Sequence, residues 1–217
     1  MNTGTEKILE DTIIRYPALK GEKENLLTAF EAIKNGFEQG GKLYLCGNGG
    51  SASDCEHIAG ELLKSFKMPR PLKGDFAALL AAHGEDGKAL AERLEGGLPA
   101  ISLCGHPAFS TAFVNDNDPY LGFAQQLNVW GAPNDVLLAI STSGNSKNCV
   151  FAAIAAKAKN MKVVFLGGGN GGRLKDIADG SVSVPERETY KVQELHLPVY
   201  HCLCAMLEHE FFYREKY

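Results

Sequence analysis

Five short apolar runs punctuate the chain: KLYLC (42–46), AISLC (100–104), DVLLAI (135–140), KVVFLG (162–167) and GSVSV (180–184). Four are nearly continuous rather than alternating, the pattern of strands covered on both faces and hence of a parallel sheet. Between them, helical spacing over 51–66, 119–130, 146–159 and 191–213 predicts helices. Strands alternating with helices predict a doubly wound α/β fold, a three-layer sandwich around a five-stranded parallel sheet. Two more helices, over 4–16 and 23–40, precede the first strand. Their apolar positions Ile8, Leu9, Ile13, Leu26, Leu27, Phe30, Ile33 and Phe37 require a surface to pack on. In front of a complete sheet, the expected surface is another subunit. The stretch 70–98 is long for a strand connection and carries helical patches, so it is expected to be an insert and a candidate lid. No repeat, low-complexity segment or linker divides the 217 residues, which predicts one domain.

Composition changes this picture little. Hydrophobic residues make up 45% and charged residues 22%, both ordinary for a soluble globular chain. The net charge is −4 without any basic run, so nucleic acid is not an expected partner. No apolar stretch approaches the ~20 residues that span a bilayer. The opening MNTGTEKILEDTIIRY has no signal-peptide core, and the expected location is the cytoplasm. The six cysteines form no CxxC pair and lie in apolar runs, which reads as buried reduced thiols rather than a cysteine-zinc site.

Ligands of an open parallel sheet bind at the carboxyl ends of its strands. The first strand is followed by GNGGSAS (47–53) and the third by STSGNS (141–146), and a helix follows each loop. Backbone amides and the helix dipole favour an anion there, and Ser51, Ser53, Ser141, Thr142, Ser143 and Ser146 add hydroxyl donors. Serines also cap helices in any protein. Two such loops, each directly after a strand, favour a phosphomonoester. Neither carries the lysine of a triphosphate loop. GGGNGG (167–172) contains G-x-G-x-x-G, but a dinucleotide fingerprint belongs after the first strand of its fold and this one follows the fourth. His57 and Glu61, four residues apart, share one helix face. Gln193 and His201, eight apart on the last helix, also lie on one side. The four side chains make an N/O set suited to a divalent metal such as zinc. Spacing alone favours a surface His–Glu pair and a core histidine over a metal site.

Taken together, CGNGGSASDCEHIAGEL, GAPNDVLLAISTSGNSKN, GGRLKDIADGSVSVP and VQELHLPVYHCLCAMLE resemble the sugar isomerase (SIS) fold family and, within it, the phosphoheptose isomerases. The resemblance covers nearly the whole chain apart from 70–98. It implies a flavodoxin-like SIS domain, N-terminal helices (1–40) that pack in a homotetramer, and active sites at subunit contacts. Each active site would hold one zinc ion on His57, Glu61, Gln193 and His201. The phosphate would lie on Ser51, Ser53, Ser141, Thr142, Ser143 and Ser146 with Asn48 beside them. Asn115 and Asp116, in TAFVNDND, match a pair that touches the sugar, and Gln193 also faces substrate. The implied reaction is isomerisation of D-sedoheptulose 7-phosphate to D-glycero-D-manno-heptose 7-phosphate through an enediolate. Glu61 would be the general base and His201 the partner acid.

One departure stands out. Family members commonly carry an arginine a few residues after the glutamate, where this chain reads ELLKSF with Ser65 in that place. Lys64, Lys67 and Arg70 are the candidates to replace it. The insert adds His83, Glu85 and Asp86, and His83 reads as a solvated surface residue. Two other functions fit the same resemblance: isomerisation of a different phosphosugar, and a non-catalytic regulator that binds a phosphosugar or a protein.

Overall fold

Alternate residues of each strand enter opposite layers, which explains why the runs read as continuously apolar. In the computed structural model, which describes residues 2–72 and 74–213, the strands are β1 (Leu43–Cys46), β2 (Ala100–Ser102), β3 (Val136–Ser141), β4 (Lys162–Gly168) and β5 (Gly180–Val184). All pair in parallel, in the order β2-β1-β3-β4-β5. Val136, Leu138 and Ile140 of β3 join one hydrophobic cluster, while Leu137 and Ala139 join the other.

Helices α1 (Thr3–Arg15), α2 (Lys23–Glu38), α3 (Gly50–Leu63) and α10 (Thr189–Phe212) supply the first layer. Helices α7 (Gly122–Trp130), α8 (Lys147–Ala158) and α9 (Gly172–Ile177) supply the second. Helix α6 (Pro107–Asp116) had no counterpart in the sequence pattern, because none of its residues is buried. The insert folds into a helical hairpin, α4 (Asp75–Ala81) and α5 (Gly84–Arg93). His83, Glu85 and Asp86 are exposed where the two helices meet.

The N-terminal helices correct one expectation. Leu26, Phe30, Ile33 and Phe37 of α2 and Leu9 of α1 are buried in this chain's own core. Helix α2 lies against β4 and β5, and α1 lies against α10. An outer helical layer is what a doubly wound sheet lacks until α2 covers it. The apolar face expected to meet another subunit therefore meets the sheet, and of α1's large apolar side chains Ile14 is the one left exposed. Five cysteines are buried and all six are free thiols, as their apolar settings suggested.

Candidate active site

The strand order reverses between β1 and β3, and this is where a doubly wound sheet opens a crevice. The loops after these two strands are the hydroxyl-rich ones, so the topology brings them face to face. Asn48 and Asn148 close the gap with two reciprocal side-chain hydrogen bonds, of 3.0 and 2.8 Å. Ser51 is buried in the first turn of α3, and Ser53 on the same turn is exposed. Across the crevice Ser141 is buried, with its hydroxyl 2.9 Å from that of Ser146. Ser143 is exposed and its Oγ accepts from the Asn145 amide. Thr142 and Ser143 also line a pocket of about 200 Å³ that contains Arg187, a cation the sequence did not single out.

The GGGNGG loop is the buttress of this cradle. Gly144 has φ +66°, and a side chain there would meet the Gly171 carbonyl oxygen at 1.7 Å. The Gly168 amide donates to Thr142 O and the Leu174 amide to Gly144 O, which fastens one loop to the other. The glycines thus serve backbone-to-backbone contact, and no cofactor is needed to account for them.

His57, Glu61 and His201 come together on facing sides of α3 and α10. His57 Nε2 lies 3.3 Å from Glu61 Oε1 and 3.5 Å from His201 Nε2. Two ligands of a tetrahedral zinc at ~2.1 Å stand about 3.4 Å apart, so both spacings suit shared coordination. Among the described residues, however, no group of three or more His, Cys, Asp and Glu side chains is arranged to hold a metal ion. His57 is the hub, flanked by the other two. Its second nitrogen, Nδ1, is 3.1 Å from the Tyr200 hydroxyl. Burial and then the nearby Asp54 charge push the Tyr200 pKa up, so the phenol stays protonated and fixes the ring from behind. Burial, followed by the neighbouring His57, lowers the His201 pKa against the pull of Glu61. Its imidazole is therefore neutral near pH 7.

Gln193 sits elsewhere. Its amide packs on Gly50, where a Cβ would lie 2.5 Å from Nε2, at the start of α3 and about two turns before His57. Asn115 and Asp116, in the last turn of α6, are exposed and bonded to each other at 2.9 Å. Among the described residues no side-chain hydrogen bond joins them to the crevice. Of the three cations considered as replacements for an arginine, Lys64 is the one that pairs with a side chain of the trio, with Nζ 3.0 Å from Glu61 Oε2. Lys67 is exposed and lines a cleft of about 290 Å³ beside His201. Arg70 is fully buried against Glu208. Ser65 donates from its amide and hydroxyl to Glu95 at the root of the hairpin. The departure in ELLKSF thus belongs to the insert.

An open parallel sheet thus carries two hydroxyl-rich loops at its switch point, and the helix after the first of them carries an imidazole–carboxylate cluster, the layout of an α/β domain with a candidate ligand crevice. A SIS domain family model matches residues 14–102 and 89–168. The phosphoheptose isomerase of Helicobacter pylori is 37% identical over 194 residues, 89% of this chain and 88% of that protein. That of Thiobacillus denitrificans is 41% identical over 179 residues, 81% and 78% of the two. A solved phosphoheptose isomerase from Francisella tularensis superposes with a TM-score of 0.73 at 31% identity, covering 95% of this chain and 98% of that one. The chain belongs to the SIS domain proteins and, within them, to the phosphoheptose isomerases.

Proposed function

We propose that the chain interconverts D-sedoheptulose 7-phosphate and D-glycero-D-manno-heptose 7-phosphate by proton transfer through an enediolate. The observation that carries the reading is the meeting of Glu61 and His201 on His57, next to the crevice that joins the two anion loops. The loop amides and the hydroxyls of Ser51, Ser53, Ser141, Thr142, Ser143 and Ser146 hold the phosphate, and Gln193 faces the sugar from Gly50. Glu61 takes a proton from C1 of the ketose and delivers it to C2. His201 carries the hydroxyl proton from O1 to O2, so atoms and charge balance across the step. The Lys64 ammonium lies 3.0 Å from Glu61 Oε2, on the side of the carboxylate away from His57.

The donor set fits a divalent ion, zinc above others, held by His57, Glu61 and His201; when bound it would polarise the substrate carbonyl. Gln193 would join the set only by swinging away from Gly50, and so it is assigned to substrate. We place Asn115 and Asp116 at the site of a neighbouring subunit in a homotetramer. Cytoplasmic location accords with the absence of any helix, among the described residues, long and apolar enough to cross a membrane.

The test is to incubate the protein with sedoheptulose 7-phosphate in D2O and follow the sugar by proton NMR, with and without a chelator. Aldose phosphate with deuterium at C2, lost on chelation and restored by zinc, is expected. Turnover indifferent to a strong chelator would remove the metal, and neither aldose nor exchange would overturn the substrate. Sedimentation of the same sample checks the tetramer.

A further inference from the structure

Arg70 and Glu208, 138 residues apart, form an ion pair at 2.8 Å with both side chains at 0% exposure. A buried pair of this kind is a poor source of stability, because desolvating two charges offsets their attraction. Its hydrogen bonds point to a different role. Arg70 Nη1 donates to the Leu62 carbonyl at 2.9 Å and Nη2 to the Glu61 carbonyl at 3.2 Å. These are two of the last-turn carbonyls of α3, which have no partner within their own helix. Glu208, on α10, accepts from the amides of Phe66 and Lys67, both at 2.8 Å. The Phe66 ring so fixed lies against His201, with centroids 5.4 Å apart. The Phe212 ring covers the guanidinium at 4.6 Å.

We infer that the Arg70–Glu208 pair is a positioning device for the isomerase reaction. One fork closes the turn of α3 that carries Glu61, and the carboxylate holds the segment that braces His201. Without it the last turn of α3 frays, as helix ends do, and Glu61 loses its register against His57 and His201. Among the described residues, none of the pair's hydrogen bonds reaches the two hydroxyl-rich loops. The pair's effect falls on the chemical step and leaves binding alone. The inference rests on Glu61 and His201 being the groups that move protons.

The test compares the zinc-supplemented full chain with R70M/E208L, with R70K and with E61Q. The double variant removes both charges, so no orphan charge is left buried. R70K keeps the charge and loses the fork. Both are expected to melt as cooperatively as the parent and to bind inorganic phosphate within about threefold of it, with KM for sedoheptulose 7-phosphate equally unmoved. Their kcat should fall about 100-fold, the cost of misplacing a reacting group by roughly an ångström. A folded variant of either kind with parental kcat overturns the inference, as does a parallel loss of phosphate binding. Failure of both to fold would make the pair a stability element and overturn it equally. An active E61Q would instead strike at the role given to Glu61, whatever the pair does.

Discussion

Asn48 and Asn148 lie 100 residues apart in sequence, yet each donates its amide N–H to the other's carbonyl oxygen across the reversal of strand order. The pair fixes the distance between two loops that come from different strands.

The first prediction follows from that pair. N148A removes both bonds and frees the first loop from the second. Each bond contributes on the order of 1 kcal/mol, so the loss of both should raise KM for the phosphosugar by up to about 30-fold. The kcat should change by less than about threefold, since no reacting group moves. Steady-state kinetics check this, and a fall in kcat at constant KM would show that the pair acts on chemistry instead.

Gly144 should tolerate no side chain. A methyl group would sit 1.7 Å from Gly171 O, at a φ of +66° that L-residues disfavour. G144A should cost about 2–4 kcal/mol in urea unfolding and abolish phosphate binding at millimolar ligand. G49A is the control. It shares the positive φ, with ψ −123°, but meets open space, so its cost of about 1–3 kcal/mol is backbone strain alone, without the clash.

The hairpin root makes a third case. Glu95 takes two bonds from Ser65, and the Gly96 amide donates to Arg70 O at 2.7 Å. The Ser65 amide and then its hydroxyl hold the Glu95 carboxyl below its usual range. E95A should loosen the α4–α5 hairpin and speed its cleavage in limited proteolysis while global unfolding stays unchanged. Cleavage at the parental rate would mean that the backbone bonds at the root and the α4–α5 contact hold the hairpin without Glu95.

Much of this architecture was legible along the chain, because parallel strands such as 162–167 must be apolar on both faces and a helix must show its stripe. Helix α6 was missed for the converse reason: Phe109, Phe113 and Val114 are not buried, so no core imposes a period on them. The partner of α2 was misread because periodicity reports that a face is covered and not by what. Glu61 and His57 were legible as a pair on one helix turn. Asn148, Tyr200 and the Arg70–Glu208 pair were not, since each acts on a residue from 100 to 143 positions away and no local pattern records such pairings.

A last prediction concerns acid stability. Asp179 precedes β5 and accepts from the Val163 amide, from Lys157 and from Lys162 at 2.9–3.1 Å. Burial opposes its ionisation, but that amide and the two ammonium groups outweigh it and hold the carboxyl below its ordinary value. A depressed folded value means that the unfolded chain binds more protons, so stability rises with pH through this region. The contribution is fully present above the unfolded value, about 3.9, and is lost as pH falls through the lower folded one. D179N should therefore cost about 1–3 kcal/mol at pH 7. The gap between parent and variant should then shrink as unfolding is repeated at successively lower pH. A gap that stays constant into acid would show that Asp179 contributes shape to the β4–β5 connection and no charge.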